Sequence, residues 1–141
     1  MPKVNFYLLK HNGEQARLAL ACRLADQQTR AGQQVFIMAD SPAAARELDQ
    51  LLWSFTSDSF VPHALATDAQ ASQAQVVIGH TLPAQAGSTC VLNLGETPID
   101  DHSGLTAIAE FILNDEQAKA DSRVRWHHYK QLGFELQLHQ L

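Results

Sequence analysis

Four side chains near the end of the sequence combine positive charge with a large aromatic ring. Lys119, Arg123, Trp126 and Lys130 follow at intervals of four, three and four residues, so in a helix they would share one stripe. Trp and Arg are common anchors of protein interfaces. The stripe therefore fits an anionic partner that also carries an apolar side chain. A solvated helix face is the alternative, and the pattern alone does not separate the two interpretations.

The helix that must position these side chains is predicted over residues 114–132. Asn114 is in the position of the N-cap, with Gln117 three residues later as in a capping box. Gly133 is the expected residue after the last helical turn. Three residues fall on the side opposite the stripe and are predicted to face inward: Val124, His128 and Leu132.

Other groups that could do chemistry form weaker patterns. The first predicted strand is followed by neither of the glycine motifs that cradle phosphate. Asp40 follows the second strand, where an acidic residue could hold a ribose, but without a glycine turn a solvated strand end is the simpler interpretation. Asp100, Asp101 and His102 could bind a hard metal ion, although three adjacent residues without remote partners are a weak signal. No group combines a nucleophile, a base and an oxyanion hole.

Composition narrows the class of protein. At 141 residues the chain fits one domain, expected over residues 1–141. The 10 Lys and Arg against 15 Asp and Glu give a net charge of −5, which argues against a general nucleic-acid binder. Cys22 and Cys90 lack metal-ligand spacing, so buried thiols in a reducing cytoplasm are expected. Neither a signal peptide nor a membrane span is predicted.

Hydrophobic periodicity predicts a series of short strands and longer helices. Strands are predicted over residues 4–9, 34–39, 75–79, 89–94 and 106–113, with helices over 13–31, 42–55 and 114–132. Residues 64–74 are small and polar and are predicted to form a loop. Residues 134–139 alternate, which predicts either an edge strand or an ordered tail. The order of elements indicates a three-layer α/β/α domain with a largely parallel sheet.

Several segments together resemble a known family. They are, as numbered here, residues 6–9, 31–37, 48–53, 59–63, 91–94 and 123–134. In order and in kind they resemble the chi subunit of bacterial DNA polymerase III holoenzyme. The combination of Leu-Leu-Trp53, Ser-Phe-Val-Pro-His63 and the closing basic, aromatic helix is the specific part, whereas residues 64–88 match poorly.

The resemblance implies a non-catalytic accessory subunit of the clamp-loader assembly. It implies a fold like that of nucleotide-binding domains without the phosphate loop, no cofactor and no metal, and a cytoplasmic location at the replisome. One implied partner is the psi subunit, which would tether the chain to the clamp loader. The matching residues here are Trp53 and Phe60. A local contact in which Phe60 covers Trp53 is the alternative.

The second implied partner is the acidic C-terminal tail of single-stranded DNA-binding protein, which ends in phenylalanine. The matching residues are Lys119, Arg123, Trp126, His127 and Lys130, with Ile112 and Gly133 nearby. Trp126 stands where the family commonly has tyrosine, and His127 where it commonly has lysine. Histidine carries full charge only in mildly acidic solution, so tail affinity is expected to be weaker or more dependent on pH.

Two other functions are consistent with the same sheet. One is a small nucleotide-binding or metal-dependent enzyme. The other is a regulatory protein whose basic helix contacts RNA or DNA directly. The resemblance implies neither sequence-specific nucleic-acid binding nor membrane attachment, and the adaptor is the leading hypothesis.

Overall fold

The computed structural model describes residues 3–10, 13–55, 63–65, 76–80, 89–95, 98–99 and 105–141, and within these ranges it contains ten helices and strands. In order they are β1 (Lys3–Leu8), α1 (Glu14–Arg30), β2 (Gln34–Met38), α2 (Pro42–Phe55), β3 (His63–Leu65), β4 (Val76–Gly79), β5 (Thr89–Asn93), β6 (Leu105–Ile112), α3 (Glu116–Gln131) and β7 (Glu135–Gln140).

The strands form one sheet in the order β3-β4-β2-β5-β6-β1-β7, and each pair of neighbours is parallel. The predicted parallel sheet is confirmed. The segment after Gly133 is an edge strand that pairs with β1, not a tail. The loop predicted over residues 64–74 is wrong at its start, because Ala64 and Leu65 belong to β3 and pair with β4.

Alternate residues of the central strands pack into two separate cores, one on each face of the sheet. Val35 and Ile37 pack with α1 and α2 on one face, whereas Phe36 between them packs with α3 on the other. This alternation is what a parallel sheet covered on both faces requires. The three-layer α/β/α prediction is therefore confirmed.

Helix α3 lies above β1 because of how the strands are connected. It joins β6 to β7, and β1 lies between those two strands in the sheet. Val4 and Phe6 of β1 consequently belong to the core that contains Tyr129 of α3. This arrangement places the helix predicted to carry the binding stripe over the first strand of the chain.

The ends of α3 match the prediction at one terminus only. Gly133 has φ +89°, and the backbone N–H of Phe134 donates to the Tyr129 carbonyl at 3.2 Å, which makes a Schellman ending as expected. At the start, however, the N-cap is Asp115, whose Oδ1 accepts from the Ala118 backbone N–H at 2.8 Å. The predicted cap, Asn114, instead donates its side-chain amide to the Lys10 carbonyl at 2.9 Å.

The predicted inward face of α3 is wrong. Val124 is 69% exposed and Leu132 is 39% exposed. The buried residues of the helix are instead Ser122, Arg125 and Tyr129. A buried arginine and serine break the rule that apolar residues mark the inward face, so hydrophobic patterning selected the wrong side.

Both cysteines lie on the α1 and α2 side of the sheet. Cys90 is buried and Cys22 is partly buried against the same core. Burial raises the pKa of each thiol to about 11, because a thiolate is poorly solvated there. Within the described part of the chain, no helix is both long and apolar enough to cross a membrane.

Candidate functional site: an apolar groove with a cationic rim

An open groove of about 350 Å³ runs between the N-terminal half of α3 and the carboxyl ends of three strands. Its apolar floor comes from β1, β6 and β7. The described lining residues are Phe6, Leu8, Ile112, Lys119, Ser122, Arg123, Trp126 and Leu138. Ligands of open parallel sheets commonly bind at the carboxyl ends of the strands, and the groove lies at that edge.

Trp126 forms one wall of the groove. Its ring centroid is 5.1 Å from that of Phe6, with the ring planes tilted by 52°. Phe6 is itself 1% exposed and contacts Tyr129 edge to face, so the tryptophan rests on fixed aromatic neighbours. Trp126 was predicted to project into water, but the structure half-buries it against the core. It therefore offers a partner one apolar surface rather than a free ring.

Two cations lie one helical turn apart on the groove. Lys119 is half-buried and Arg123 is exposed. Among the described lining residues these are the charged ones, so the lining carries net positive charge although the whole chain is acidic. Arg can bind a carboxylate through two parallel N–H donors, whereas Lys acts as a point charge. The arrangement suits an apolar side chain that carries an adjacent carboxylate.

Of the seven residues predicted for this site, the structure brings four together: Ile112, Lys119, Arg123 and Trp126. The other three are exposed and are not among the described lining residues: His127, Lys130 and Gly133. Lys130 lies one turn beyond Trp126 on α3, and Gly133 ends the helix.

Sequence reasoning missed Phe6, Leu8, Ser122 and Leu138 as lining residues. Phe6 and Leu8 were read only as part of a buried strand. The available signal was the spacing of two residues between Phe6 and Leu8, which places them on one face of a strand. A similar alternation of apolar and polar residues near the end of the sequence includes Leu138. That signal becomes informative only when β1 is known to pair with β7.

A buried polar cluster lies beneath α3, next to the groove. Glu110 of β6 is 0% exposed, and it accepts from Arg125 Nε at 2.8 Å, the Tyr129 hydroxyl at 2.6 Å and Asn93 Nδ2 at 2.7 Å. The Tyr129 hydroxyl also accepts from the Ile99 backbone N–H at 2.8 Å. All three groups that contact the carboxylate are donors, as an ionised carboxylate requires.

The pKa values in this cluster follow from burial and charge. Burial raises the pKa of Glu110, while the Arg125 guanidinium and the hydrogen bonds from Tyr129 and Asn93 oppose that rise. The pKa of Tyr129 is also raised, because a buried phenolate would lie beside the Glu110 carboxylate. The tyrosine therefore stays a donor to Glu110.

A second, smaller cavity of about 210 Å³ lies on the opposite face of the sheet, at the ends of β2 and β5. It is lined by Arg17, Ala39, Asp40, Ala44, Glu47, Leu48 and Leu94. Arg17 donates to the Leu94 carbonyl at 3.2 Å. A Cβ built on Gly95 would lie 2.6 Å from Asp40 Oδ1, which shows how closely this carboxylate approaches the backbone.

The residues predicted for a metal site and for psi binding lie wholly or partly outside the described part of the chain. Asp100, Asp101 and His102, considered for a metal, lie outside the described residues, and among those described no cluster of His, Cys, Asp and Glu could hold a metal ion. Trp53 lies in α2, but its side chain is outside the description, as is the whole of Phe60.

Comparison with known proteins identifies the family of the chain. The family model for the DNA polymerase III chi subunit, HolC, matches residues 1–137. DNA polymerase III subunit chi of Pseudomonas aeruginosa is 31% identical over 141 residues, covering 100% of this chain and 98% of the relative. The subunit chi of Escherichia coli is 29% identical, with 96% of each chain covered, and that of Haemophilus influenzae is 32% identical, with 90% and 87% covered. The chain therefore belongs to the DNA polymerase III chi subunit family, whose members are accessory subunits of the replicative polymerase.

Proposed function

We propose that this chain is a non-catalytic adaptor that links the clamp loader to coated single-stranded DNA in the cytoplasm. One surface binds the psi subunit, and the groove beside α3 binds the acidic C-terminal tail of single-stranded DNA-binding protein. Membership of the chi family supports a role in the holoenzyme. The choice of these two partners goes beyond that membership and rests on the groove and on the family resemblance.

The single observation that carries the tail proposal is the chemistry of the groove. Lys119 and Arg123 lie beside an apolar floor that includes Leu138, which is 47% exposed. A terminal phenylalanine has an apolar ring and a free carboxylate on the same residue. The ring would pack against Trp126 and the floor, and the carboxylate would meet Arg123. Acidic residues upstream would lie near Lys119.

The position of α2 is compatible with simultaneous binding of two partners. Helix α2 packs on the face opposite α3, over β3 and β4. Those strands form one end of the sheet, and β7 forms the other. A partner held by the end of α2 that carries Trp53 would not compete for the groove, which is the requirement for an adaptor.

The tail proposal is tested by fluorescence anisotropy with a short labelled acidic peptide that ends in phenylalanine. The peptide should bind, and removal of its last phenylalanine or amidation of its terminus should weaken binding. Arg23→Ala provides a matched control, because Arg23 is an exposed cation on α1, across the sheet. If the peptide does not bind, or if all three peptides bind equally, the tail assignment is wrong.

The psi assignment is tested by co-purification. Trp53→Ala should abolish capture of psi and leave the midpoint of denaturant unfolding nearly unchanged, because truncation of a central interface aromatic costs at least about 2 kcal/mol of binding. Tail-peptide binding should persist in the same variant. If Trp53→Ala instead lowers the free energy of unfolding by about 3 kcal/mol, the ring belongs to the core and the assignment fails.

A further inference from the structure

The buried cluster beneath α3 bears on how the groove residues are aimed. Arg125 lies between Arg123 and Trp126 in sequence, yet it points the opposite way, into the protein, where it is 7% exposed. Its guanidinium Nε reaches Glu110 Oε1 at 2.8 Å, and Tyr129, one turn later, reaches Glu110 Oε2. Two successive turns of α3 are thus attached to one carboxylate on the strand below.

Apolar packing fixes the rotation of α3 in part, through the buried ring of Tyr129 and the half-buried ring of Trp126. The described buried residues of the helix are a serine, an arginine and a tyrosine, whereas Val124 is exposed. Because an apolar residue also lies on the exposed side, hydrophobicity does not by itself select this rotation. Directional contacts to Glu110 single out one rotation. Breaking a buried pair leaves an unpaired charge, so other rotations are disfavoured.

The rotation matters because the groove is formed between helix and strands. Phe6, Leu8 and Leu138 come from β1 and β7, whereas Lys119, Arg123 and Trp126 come from α3. Neighbouring helical residues are about 100° apart. A small rotation would therefore move the guanidinium of Arg123 and the ring of Trp126 relative to a fixed floor. Binding sites require their side chains to be held closely in place.

We propose that Glu110 and Arg125 are positioning residues for the tail groove, an inference that rests on the proposed function. Neither residue lines the groove as described, and neither would touch the peptide. They act by fixing the rotation of α3, so that Arg123 and Trp126 face the floor made by β1 and β7.

The test replaces the pair by apolar residues of similar size, in the double variant Glu110→Leu with Arg125→Met. Replacing a buried ion pair in this way can preserve stability. Here the change also removes the acceptor that Glu110 offers to the Asn93 amide and the Tyr129 hydroxyl, so the free energy of unfolding is measured in the same variant. Tail-peptide affinity should nevertheless fall about fivefold or more, as for residues coupled through neighbours. Ile78→Val is the matched control, since Ile78 is fully buried on the other face of the sheet and its truncation should leave affinity unchanged.

Tyr129→Phe gives a second, milder measurement. It removes the hydroxyl that joins Glu110 to the Ile99 backbone and keeps the ring contact with Phe134. Affinity for the tail peptide should fall by less than in the double variant. The effect of Tyr129→Phe should be smaller still in a protein that already carries Arg123→Ala, because the hydroxyl acts through the Arg123 side chain.

Normal tail binding by a stable double variant would overturn the positioning role. The positioning role would also be overturned if tail affinity fell only in proportion to the free energy of unfolding, in the double variant and in Ile78→Val alike. The proposed function itself fails differently, through a wild-type protein that does not bind the peptide. Loss of binding in Trp126→Ala beside normal binding in the double variant would reject only the positioning role.

Discussion

Two crevices open at the carboxyl ends of the same sheet, and their charges are arranged differently. The cavity beside α1 and α2 contains Arg17 together with the acidic residues Asp40 and Glu47. The groove beside α3 combines two cations with an apolar floor, and its described lining includes no acid. The first crevice lies where open parallel sheets commonly bind nucleotides. Its volume of about 210 Å³, however, is below the roughly 300 Å³ usual for ligand pockets. The two crevices share their location on the fold, and the distribution of charge distinguishes the groove proposed to bind the tail.

Trp126→Ala should produce the largest difference between the two crevices. Loss of an interface tryptophan costs at least about 2 kcal/mol, or about thirtyfold in affinity for the tail peptide. The loss should be similar at low and high salt, because ring packing is not screened. Deleting the last phenylalanine of the peptide should have the same effect, and anisotropy titrations at both salt concentrations measure it.

Leu48→Ala provides the corresponding change in the other crevice. Leu48 is buried and also lines the cavity beside α2. Its truncation should reduce the free energy of unfolding by about 2–5 kcal/mol while tail affinity stays constant. Equal loss of affinity in Leu48→Ala and Trp126→Ala would mean that stability, not the groove, controls binding.

Arg123→Ala should have a smaller effect that depends on salt. Hydrogen bonds to charged groups contribute about 1.5–3 kcal/mol, so about a tenfold or greater loss is expected at low salt. The loss should shrink in 1 M salt, where the Debye length is about 3 Å. Arg17→Ala, the cation of the other crevice, should leave peptide affinity unchanged. If both arginine variants bind like the wild type, the cationic rim has no role.

His127→Ala should have a modest effect on tail affinity. His127 is exposed and is not among the described lining residues of the groove. Exposed charge pairs contribute only about 0.2–1 kcal/mol, which limits the change to about fivefold in the same anisotropy titration. A loss as large as that of Arg123→Ala would mean that His127 belongs to the site.

The smallest expected effect is the change in melting temperature when nucleotides are offered to the cavity beside α2. ATP, GTP and NAD at millimolar concentration should shift the melting temperature by less than about 1 °C, since a ligand stabilises the fold by RT ln(1 + [L]/Kd) only when it binds. A shift of several degrees, removed by Asp40→Ala, would restore the nucleotide-binding hypothesis and break the comparison between the crevices.

The fold was largely accessible from sequence because its elements obey local rules. Buried strands such as β2 are short apolar runs, and Gly32 and Gly133 end their helices with positive φ. β3 was missed because three residues of a mostly small, polar segment pair with β4 at the sheet edge. Local periodicity contains no information about such a partner.

The candidate site was only half accessible for a related reason. Lys119, Arg123 and Trp126 follow a helical spacing that can be read directly, but the floor requires strand order. The inward face of α3 was assigned wrongly because Arg125 is buried by Glu110, which lies 15 residues earlier. Patterning treats arginine as a surface residue, and the pairing that reverses this expectation is tertiary.

The pairing of β1 with β7 also affects when the groove can form during synthesis. Lys3 lies opposite Glu135, so the floor joins two segments that are 132 residues apart in the sequence. At about 5–20 residues per second, on the order of ten seconds separate the synthesis of these two strands. Contacts between such distant segments also slow folding. A nascent chain would therefore acquire its groove only after β7 has left the ribosome, and until then Phe6 and Leu8 lack their neighbours from β7.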